Sequence, residues 1–347
     1  MRPTVIHLID DIKLGGVNLA LESLAASRLN QSYLFKLIHR RFSLPSFKRY
    51  AADIIVVHGA LSWRKIPALL ALKLANFGTP ILYQEHHYSR EFVALRVAHP
   101  KRFYRMLKFG YGLMDKVLLV SNSQVHWLEE SGILMKDKMV WVGQAKELSP
   151  FIAVSSRPLS SPLKLLAYGR LSQQKGFDLL IKAMAKLPSD RVSLTIAGEG
   201  EDAQLLSELA LPLPHVRLTG EVHDVPQFLD SGDLVVIPSR WEPFGLTCLE
   251  AVAAGKGVIL PYIDGLGDQI NLLQRNGCGY QLIQELSVEG IAQAITQVLN
   301  GEALAINNTQ RQSCEQAWEL MLNNWQQVLS EVLEPQKAVT LEDQKRR

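Results

Sequence analysis

The sequence has 347 residues, which is more than one hydrophobic core normally contains and suits two domains. Its 47% hydrophobic and 20% charged residues are typical of a globular protein and exclude a disordered chain. A net charge of +3 is mildly basic and does not by itself indicate a nucleic-acid partner.

The cysteines and the N-terminus indicate the compartment. Cys248, Cys278 and Cys314 are odd in number and lack metal-ligand spacing, which predicts reduced thiols. The first apolar run, residues 4–9, is too short for the apolar region of a signal peptide. No apolar run approaches the roughly 20 residues that a membrane helix needs. We therefore expect a cytoplasmic protein.

The first predicted strand, residues 5–9, is followed by the pair Gly15-Gly16 and by a helix over about residues 17–29. Adjacent glycines between a strand and a helix let the backbone approach a ligand closely, with the helix dipole directed at it. A flexible turn explains the pair equally well. The dinucleotide fingerprint G-x-G-x-x-G does not occur here.

Further short apolar runs alternate with helical patterns through the first half of the chain. Strands are predicted at residues 53–58, 80–83 and 117–120, with helices between and after them. This rhythm is typical of a doubly wound parallel sheet, in which ligands bind at the carboxyl ends of the strands. His58, His86 and Ser121 stand at those ends.

Two basic stretches lie in this half, at residues 36–49 and 90–108, the second with aromatic residues interleaved. They fit an anionic acceptor or an anionic membrane surface, because basic residues near such lipids contribute to binding. A solvated basic face fits them equally well. Nucleic-acid backbone is the weakest interpretation, and we predict no nucleic-acid partner.

The serine- and proline-rich residues 149–162 predict a linker, after which the pattern restarts. A strand at residues 163–168 leads through a polar loop into a helix over about residues 177–186. Arg170 and Lys175 lie in that glycine-flanked loop and could clamp two phosphates, arginine bidentately and lysine as a point charge.

A weak dinucleotide signal follows the next strand, residues 192–197. Residues 198–203 read GEGEDA, which matches G-x-G-x-x-A, and Glu221 lies about 20 residues further on. The acidic side chains of Glu199, Glu201 and Asp202 would repel a pyrophosphate. We interpret the segment as a turn leading into a negatively charged first helical turn.

The most informative stretch is residues 239–255, SRWEPFGLTCLEAVAAG, which follows an apolar strand at residues 234–238. It predicts a strand, a tight turn and a helix, with Thr247 as the N-cap and Gly255 ending the helix. A helix N-terminus is an anion site, and Glu242 and Glu250 flank it. One carboxylate could then bind a sugar and the other a ribose. Two surface glutamates around an ordinary loop are the alternative.

The succession of strand, Pro-Ser, Glu-Pro-Phe-Gly-Leu, Leu-Glu-Ala and Ala-Gly resembles the nucleotide-sugar motif of glycosyltransferase family 4, a retaining group with the GT-B fold. The resemblance is strong over residues 163–270 and loose in the first half. It implies two Rossmann-like α/β domains facing a cleft: an acceptor-side domain over residues 1–155 and a donor-binding domain over residues 160–310. A helix over residues 311–334 could cross back to the first domain, and residues 335–347 form a charged tail.

The resemblance also implies roles for individual residues. The diphosphate would be stabilised by Arg170 and Lys175, and the sugar hydroxyls would be held by Glu242. His86, rather than His87, would contact the sugar from the other domain. The implied catalytic set is Glu242, Arg170, Lys175 and His86, and the implied donor-binding set is Gly15, Gly16, Val222, Phe244, Gly245, Leu246, Thr247 and Glu250.

The sequence departs from the family pattern at two places. Valine stands at position 142, where an asparagine is usual, which puts the contact of that asparagine in doubt. Asp264 and Asp268 replace the first glycine of a Gly-Gly pair and the glutamate that follows it, so nearby sugar contacts differ.

These features predict a retaining glycosyltransferase that moves a sugar from a nucleotide-diphosphate-sugar to a saccharide or lipid-linked saccharide, in polysaccharide or lipopolysaccharide synthesis. No D-x-D sequence occurs, so we expect no metal and no other cofactor. From the two basic stretches we also expect peripheral contact with an anionic membrane. A sugar-nucleotide epimerase or phosphorylase, and a non-catalytic donor-binding subunit, remain as alternatives.

Overall fold

A computed structural model describes residues 2–10, 15–155, 157–275, 279–301 and 309–345. The chain divides into two compact units. Unit 1 comprises Met1–Lys146 and Trp318–Arg347, and unit 2 comprises Glu147–Ala317. Each unit contains one six-stranded sheet in which every strand pair is parallel.

The sheet of unit 1 has the order β2-β1-β3-β4-β5-β6. Its strands are β1 Thr4–Ile9, β2 Leu34–His39, β3 Ile54–His58, β4 Ile81–Glu85, β5 Lys116–Leu119 and β6 Met139–Trp141. Every residue of β3 and β4 is buried, as expected of central strands covered on both faces. The helices between these strands are α1 Gly15–Ala26, α2 Ile66–Ala75, α3 Arg90–Arg96, α4 Pro100–Gly112 and α5 Asn122–Ser131.

The sheet of unit 2 has the order β12-β11-β10-β7-β8-β9. Its strands are β7 Leu163–Tyr168, β8 Val192–Ala197, β9 Val216–Leu218, β10 Leu234–Val236, β11 Gly257–Pro261 and β12 Tyr280–Ile283. Its helices are α6 Ser149–Ile152, α7 Phe177–Met184, α8 Ala203–Ala210, α9 Val225–Asp230, α10 Leu246–Ala253, α11 Asp264–Arg275 and α12 Val288–Leu299.

The last helix, α13 Thr309–Lys345, belongs to unit 1 from Trp318 onward. There the Trp325 side chain is buried, and its ring lies 5.7 Å from that of His7. The Arg28 guanidinium donates hydrogen bonds to the side chains of Glu319, Asn323 and Gln326. The helical backbone extends through most of the segment predicted as a charged tail, and Arg346 and Arg347 lie outside the described residues.

Several local predictions were wrong. The helix predicted to begin near residue 17 begins at Gly15, so both glycines lie in its first turn instead of before it. The predicted linker begins as a helix, α6, whose Phe151 is buried. Strands β2, β6 and β12 were missed. All three are edge strands and only partly buried, so their apolar signal is weak.

Candidate functional site

The predicted phosphate and sugar ligands of unit 2 follow two adjacent strands, β7 and β10. β7 lies between β10 and β8, and the chain order reverses direction across the sheet at β7 and β10. A parallel sheet leaves a crevice at such a switch point, beyond the carboxyl ends of the strands. The loop after β7 carries Arg170 and Lys175, and the loop after β10 carries Glu242 and leads into α10.

The central contact of the site is an ion pair between Lys175 and Glu242. The Lys175 Nζ atom lies 2.7 Å from Glu242 Oε2, and the two side chains are only 16% and 10% exposed. The Ser239 hydroxyl also donates to Glu242 Oε2, at 3.1 Å. The structure therefore brings together two predicted catalytic residues that are 67 positions apart in the chain.

A close backbone approach joins the loops after β7 and β10. Gly176 has φ +67°, and a Cβ atom at this position would lie 2.0 Å from the Pro238 carbonyl oxygen. The backbone N–H of Arg240 donates to the Gln174 carbonyl at 2.7 Å, which links the same two loops. Because any side chain at position 176 would separate these loops, the glycine is needed for the Lys175–Glu242 contact.

Arg240 strengthens this junction through a two-point ion pair with Asp178. Two guanidinium nitrogens of Arg240 each lie 2.8 Å from a different oxygen of the Asp178 carboxylate. Burial alone would raise the pKa of Asp178, but the hydrogen bonds and charge of Arg240 outweigh it and hold that pKa below its usual value. Asp178 is therefore ionised at neutral pH and fixes the first turn of α7 against the β10 loop.

Arg170, the second predicted phosphate ligand, lies at the surface. Its Nε atom is 3.1 Å from Glu201 Oε2, and both side chains are more than half exposed. Ion pairs of this kind contribute little to stability. The guanidinium can therefore leave Glu201 and bind a more highly charged anion, such as a diphosphate, with little loss of free energy from the broken ion pair.

The start of α10 differs from the prediction. Thr247 was predicted as its N-cap, but the N-cap is Gly245, with φ +90° and no side-chain capping bond. Thr247 instead lies inside the first turn, because the chain needs a left-handed residue to turn from Phe244 into the helix. Gln269 fixes this turn by donating to the carbonyl oxygens of Phe244 and Gly245, at 2.5 and 3.0 Å.

Sequence analysis missed Tyr168 as a partner of Glu250. The Tyr168 hydroxyl donates its proton to Glu250 Oε2 at 2.7 Å, and its oxygen also lies 3.3 Å from the Thr247 carbonyl oxygen. Burial, together with the charge of Glu250, raises the pKa of Tyr168 well above its usual value, so the phenol stays protonated and remains a donor. Tyr168 ends strand β7, and nothing in the local pattern pairs it with a residue 82 positions away.

Asp264, which departs from the family pattern, holds the turn that carries Glu242. Its Oδ2 atom accepts a hydrogen bond from the Glu242 backbone N–H at 3.2 Å. The next residue, Gly265, donates its backbone N–H to the Glu242 carbonyl at 3.0 Å. Asp264 has φ 39°, a left-handed conformation that aspartate tolerates better than most residues. Asp264 therefore stabilises the turn at Glu242, although the family has a glycine at this position.

The remaining predicted donor ligands are more dispersed. Phe244, Leu246 and Thr247 are half-buried around the start of α10, and Val222 is half-buried in the loop after the edge strand β9. Gly15 and Gly16 form the first turn of α1 and belong to unit 1. The roles assigned to these six residues stay predictions.

His86 also belongs to unit 1, where it follows β4 directly and is half-buried. Its Nε2 atom lies 3.1 Å from His58 Nδ1, and His58 Nε2 lies 2.8 Å from His7 Nδ1. Burial lowers the pKa of His86 to about 3, with a further contribution from the nearby His87, so the ring is neutral at pH 7. The predicted contact of His86 with a sugar stays a prediction.

The backbone after His86 is held by Glu85, a fully buried carboxyl that sequence analysis did not select. One oxygen accepts the backbone N–H groups of His87 and Tyr88 at 2.6 and 2.9 Å, and the other accepts the Tyr111 hydroxyl at 2.6 Å. Burial raises the pKa of Glu85 to about 7, although these three hydrogen bonds act in the opposite direction. Glu85 therefore fixes the turn that presents His86.

In the part of the chain that the structure describes, no group of three or more histidine, cysteine, aspartate or glutamate side chains is arranged to hold a metal ion. Among the same residues, no helix combines the length and apolar character needed to cross a membrane. That the reaction needs no metal stays a prediction.

Residues 152–320 match the family model described as glycosyl transferases group 1. A 163-residue segment is 36% identical to the glycogen synthase of Mycobacterium tuberculosis, and covers 45% of this chain and 38% of that protein. A 183-residue segment is 30% identical to the lipopolysaccharide core biosynthesis glycosyltransferase LpsE of Rhizobium meliloti, and covers 49% and 52% of the two chains. The chain thus matches only about half or less of the length of these relatives, and the matches support a glycosyltransferase of group 1.

Most of the chain is similar to a solved structure, that of Anabaena HepE in complex with UDP and glucose. The two superpose with a TM-score of 0.69 over 96% of this chain and 100% of the other, at 18% sequence identity. Such a likeness concerns the fold alone. It confirms the predicted fold class, two doubly wound parallel-sheet domains of the GT-B type.

Proposed function

We propose that this protein is a retaining glycosyltransferase that transfers a sugar from a nucleotide-diphosphate-sugar to a saccharide or lipid-linked saccharide. The observation that carries the proposal is the partly buried Lys175–Glu242 ion pair at the switch point of unit 2. It joins a cation suited to a diphosphate with a carboxylate suited to sugar hydroxyls, next to the start of α10.

The described contacts suggest how the donor is held. The Lys175 ammonium carries three donors and can bind a phosphate oxygen while it keeps Glu242 in place. Arg170 exchanges Glu201 for the diphosphate, and the two cations stabilise the charge that develops on the leaving phosphate. Glu250, oriented by the Tyr168 hydroxyl, accepts hydrogen bonds from the ribose. Glu242 accepts them from the transferred sugar.

Retention of configuration and independence of metal come from the resemblance to family 4. Retaining glycosidases use two carboxylates that flank the scissile bond, one of them as nucleophile. Here Glu242 is held by Lys175 and Ser239, and Glu250 by Tyr168, which suits both to binding more than to attack. We therefore propose attack by the acceptor on the face from which the diphosphate leaves, with the leaving phosphate as base.

The nucleotide is proposed by analogy. The structure of Anabaena HepE contains UDP and glucose, and that of a starch synthase from Arabidopsis contains ADP and acarbose. Uridine and adenosine diphosphate sugars are therefore the first donors to test.

The acceptor side is proposed from α4. Lys101, Arg105 and Lys108 recur on one face of this helix and, with Tyr104 and Ile133, line an open cavity of about 510 Å³. Three convergent cations over an apolar floor suit a phosphate-bearing lipid or an anionic membrane surface. The LpsE relative acts in lipopolysaccharide core synthesis, which fits such an acceptor. We propose that the protein works in the cytoplasm, at the inner face of the membrane.

Donor binding tests the proposal directly. Calorimetric titration of UDP-glucose, ADP-glucose and GDP-mannose into the wild type should show binding of one of them. Glu250→Gln and Arg170→Ala should weaken it at least tenfold, because each removes a charge-assisted hydrogen bond that contributes about 1.5–3 kcal/mol. Glu208→Gln, which changes an exposed carboxylate of α8, is the matched control and should bind like the wild type.

Turnover separates the alternatives. A transferase releases nucleotide diphosphate only when an acceptor is added, whereas an epimerase or phosphorylase acts without one. A donor-binding subunit without catalysis would bind the nucleotide-sugar and release nothing under any of these conditions. If none of the donors binds to the folded protein, the proposed function is wrong.

A basic-face variant tests the membrane contact. Lys101→Gln, Arg105→Gln and Lys108→Gln combined should weaken binding to vesicles of anionic phospholipid about a hundredfold, since each basic residue contributes about 1 kcal/mol. A control with the same charge change, Lys182→Gln, Lys186→Gln and Arg217→Gln, lies in unit 2 and should leave sedimentation with vesicles unchanged. If the two variants lose vesicle binding equally, the net charge of the protein determines binding and the position of the basic residues does not.

A further inference from the structure

Three imidazole rings form a hydrogen-bonded row across unit 1. His7 lies within β1, His58 ends β3 and His86 follows β4, and these three strands are neighbours in the sheet. The nitrogens of His7 and His58 are 2.8 Å apart and those of His58 and His86 are 3.1 Å apart. The ring planes are inclined by 14° and 29° with centroids 5.0 and 5.3 Å apart, which is the geometry of imidazoles hydrogen-bonded edge to edge. His7 and His58 are fully buried, and His86 stands at the surface end of the row.

The row allows only two proton arrangements. Burial lowers the pKa of His7 and of His86 to about 3, and that of His58 well below its usual value, so all three rings are neutral at pH 7. A neutral imidazole has one N–H donor and one acceptor nitrogen. Because His58 uses both nitrogens, it must donate to one neighbour and accept from the other. The N–H groups of the row therefore all point toward His7 or all point toward His86.

The surroundings of His7 favour one of these directions. Its Nε2 atom is buried and has no hydrogen-bond partner of good geometry in the described part of the chain. The rings of Phe35 and Trp325 lie 5.8 and 5.7 Å from the His7 ring. An aromatic face attracts an N–H group weakly but offers nothing to a bare lone pair. The proton of His7 therefore belongs on Nε2, and the other two rings follow from it.

In this arrangement His58 donates to His7, and His86 donates from Nε2 to His58. The remaining nitrogen of His86, Nδ1, then carries a lone pair and can only accept. That atom is buried and has no hydrogen-bond partner of good geometry in the described part of the chain. The Gln144 side chain interacts with the ring and raises its pKa against the effect of burial, but an amide can offer either its oxygen or its NH₂ group and so does not select a tautomer. A hydroxyl group that reaches Nδ1 would supply the donor that this atom lacks.

We propose that His7 and His58 are positioning residues that hold His86 as the Nε2–H tautomer, so that its Nδ1 atom accepts a hydrogen bond from a saccharide hydroxyl. The identity of the ligand rests on the proposed function, whereas the tautomer does not. Neither His7 nor His58 touches the reacting atoms in this proposal. They act through the ring of His86, whose backbone turn is already held by Glu85.

Nitrogen NMR of the full chain, labelled with ¹⁵N at its nine histidines, measures the tautomer directly. In the wild type at pH 7.5, two-bond proton–nitrogen spectra should show His86 locked with the proton on Nε2. The His86→Gln variant assigns its signal by the loss of that signal. His215, which contacts the Met184 carbonyl in unit 2, serves as the internal reference and should not change in any variant of unit 1.

Two substitutions at position 58 form the matched pair. In His58→Gln the amide can accept from His86 and donate to His7, so His86 should keep the Nε2–H form. In His58→Phe the shape is retained but the hydrogen bonds are lost, so His86 should average between two tautomers. Should His58→Phe fail to fold, His7→Phe at the far end of the row removes the directing N–H group and should also release the tautomer.

Two results would overturn the proposal: a wild-type His86 with its proton on Nδ1 or averaged between both nitrogens, or a folded His58→Phe variant with an unchanged tautomer. The NMR measurement needs no nucleotide-sugar. If no donor binds, the proposed function is wrong, but the tautomer result still holds. If the His86 signal is averaged, the tautomer proposal is wrong, but donor binding by unit 2 is not affected.

Discussion

At the scale of the residue, burial raises the pKa values of Glu85 and Tyr168, and the hydrogen bonds of each group determine its role in the fold. Glu85 in unit 1 and Tyr168 in unit 2 are both buried, and burial is the largest cause of the raised pKa of each. Glu85 accepts three hydrogen bonds, whereas Tyr168 donates to a carboxylate, Glu250. The first group therefore titrates near neutrality, and the second stays a hydrogen-bond donor throughout the physiological range.

Glu85→Gln tests the titration of Glu85. Because the folded-state pKa of about 7 lies above the usual 4.5, the folded protein binds more protons between these pH values. The stabilisation from this carboxyl is therefore complete below pH 4.5 and is lost as the pH rises through 7, by about 3 kcal/mol at most. Urea denaturation at pH 5 and pH 8 should show the wild-type advantage over Glu85→Gln shrinking at the higher pH.

The matched control for this experiment is Glu130→Gln, which changes a carboxyl that is 63% exposed in an ion pair with Arg90. Its free energy of unfolding should differ from that of the wild type by less than about 1 kcal/mol at both pH values. A Glu85→Gln difference that is equally flat would show that the buried carboxyl does not titrate in this range.

At the scale of the element, the site depends on how the loop after β7 meets the loop after β10. Their approach at Gly176 and Pro238 brings Lys175 to Glu242. The loop after β10 then turns at Gly245 into α10, and Gln269 from α11 holds that turn. The loops after two neighbouring strands thus supply the ion pair and the start of α10, which is the arrangement expected at a switch point.

Gly176→Ala measures the importance of this approach, with Gly220→Ala as its control. Both glycines have positive φ, +67° and +74°, so each substitution should cost about 1–2 kcal/mol in backbone strain. Only Gly176→Ala also places its Cβ against the Pro238 carbonyl, whereas nothing lies within 4 Å at position 220. In urea denaturation Gly176→Ala should lose clearly more stability than Gly220→Ala. Equal losses would show that the two loops separate freely.

At the scale of the whole molecule, the end of the chain returns to stabilise its beginning. From Trp318 onward α13 belongs to unit 1, although the residues that precede it belong to unit 2. Its buried face carries Met321, Leu322, Trp325, Val328, Leu329 and Leu333. The hydroxyl groups of Tyr33 and Ser330, 2.9 Å apart, add a polar contact between α13 and the N-terminal part. Unit 1 is therefore incomplete until the last helix has been made.

Trp325→Ala should destabilise unit 1 selectively. The side chain is 1% exposed, and truncating a buried tryptophan typically costs about 3–5 kcal/mol. Hydrogen exchange should show faster exchange for the amides of β1 and β3, while those of β7 and β10 keep their protection. Leu320→Ala removes a side chain of the same helix that is 46% exposed and should change neither set. Uniform loss of protection in both units would contradict the division described here.

The sequence alone determined the fold class and most central strands. Continuous apolar runs predicted residues 163–168 and 192–197 with the bounds that the structure shows, because buried parallel strands leave a local signal. The chemical identity of the site residues was also local, since Arg170, Lys175, Glu242 and Glu250 stand in motifs next to predicted strands and helices. The predicted glycosyltransferase is supported at the level of group 1.

Tertiary structure decided what the local pattern does not encode. The edge strands β2, β6 and β12 form because a neighbouring strand offers hydrogen bonds, and their half-exposed sequences carry no strong apolar period. The Lys175–Glu242 pair, the Tyr168–Glu250 bond and the row of histidines join residues between 28 and 82 positions apart. Such contacts depend on which strands become neighbours in the folded sheet, and strand order is a property of packing over the whole chain.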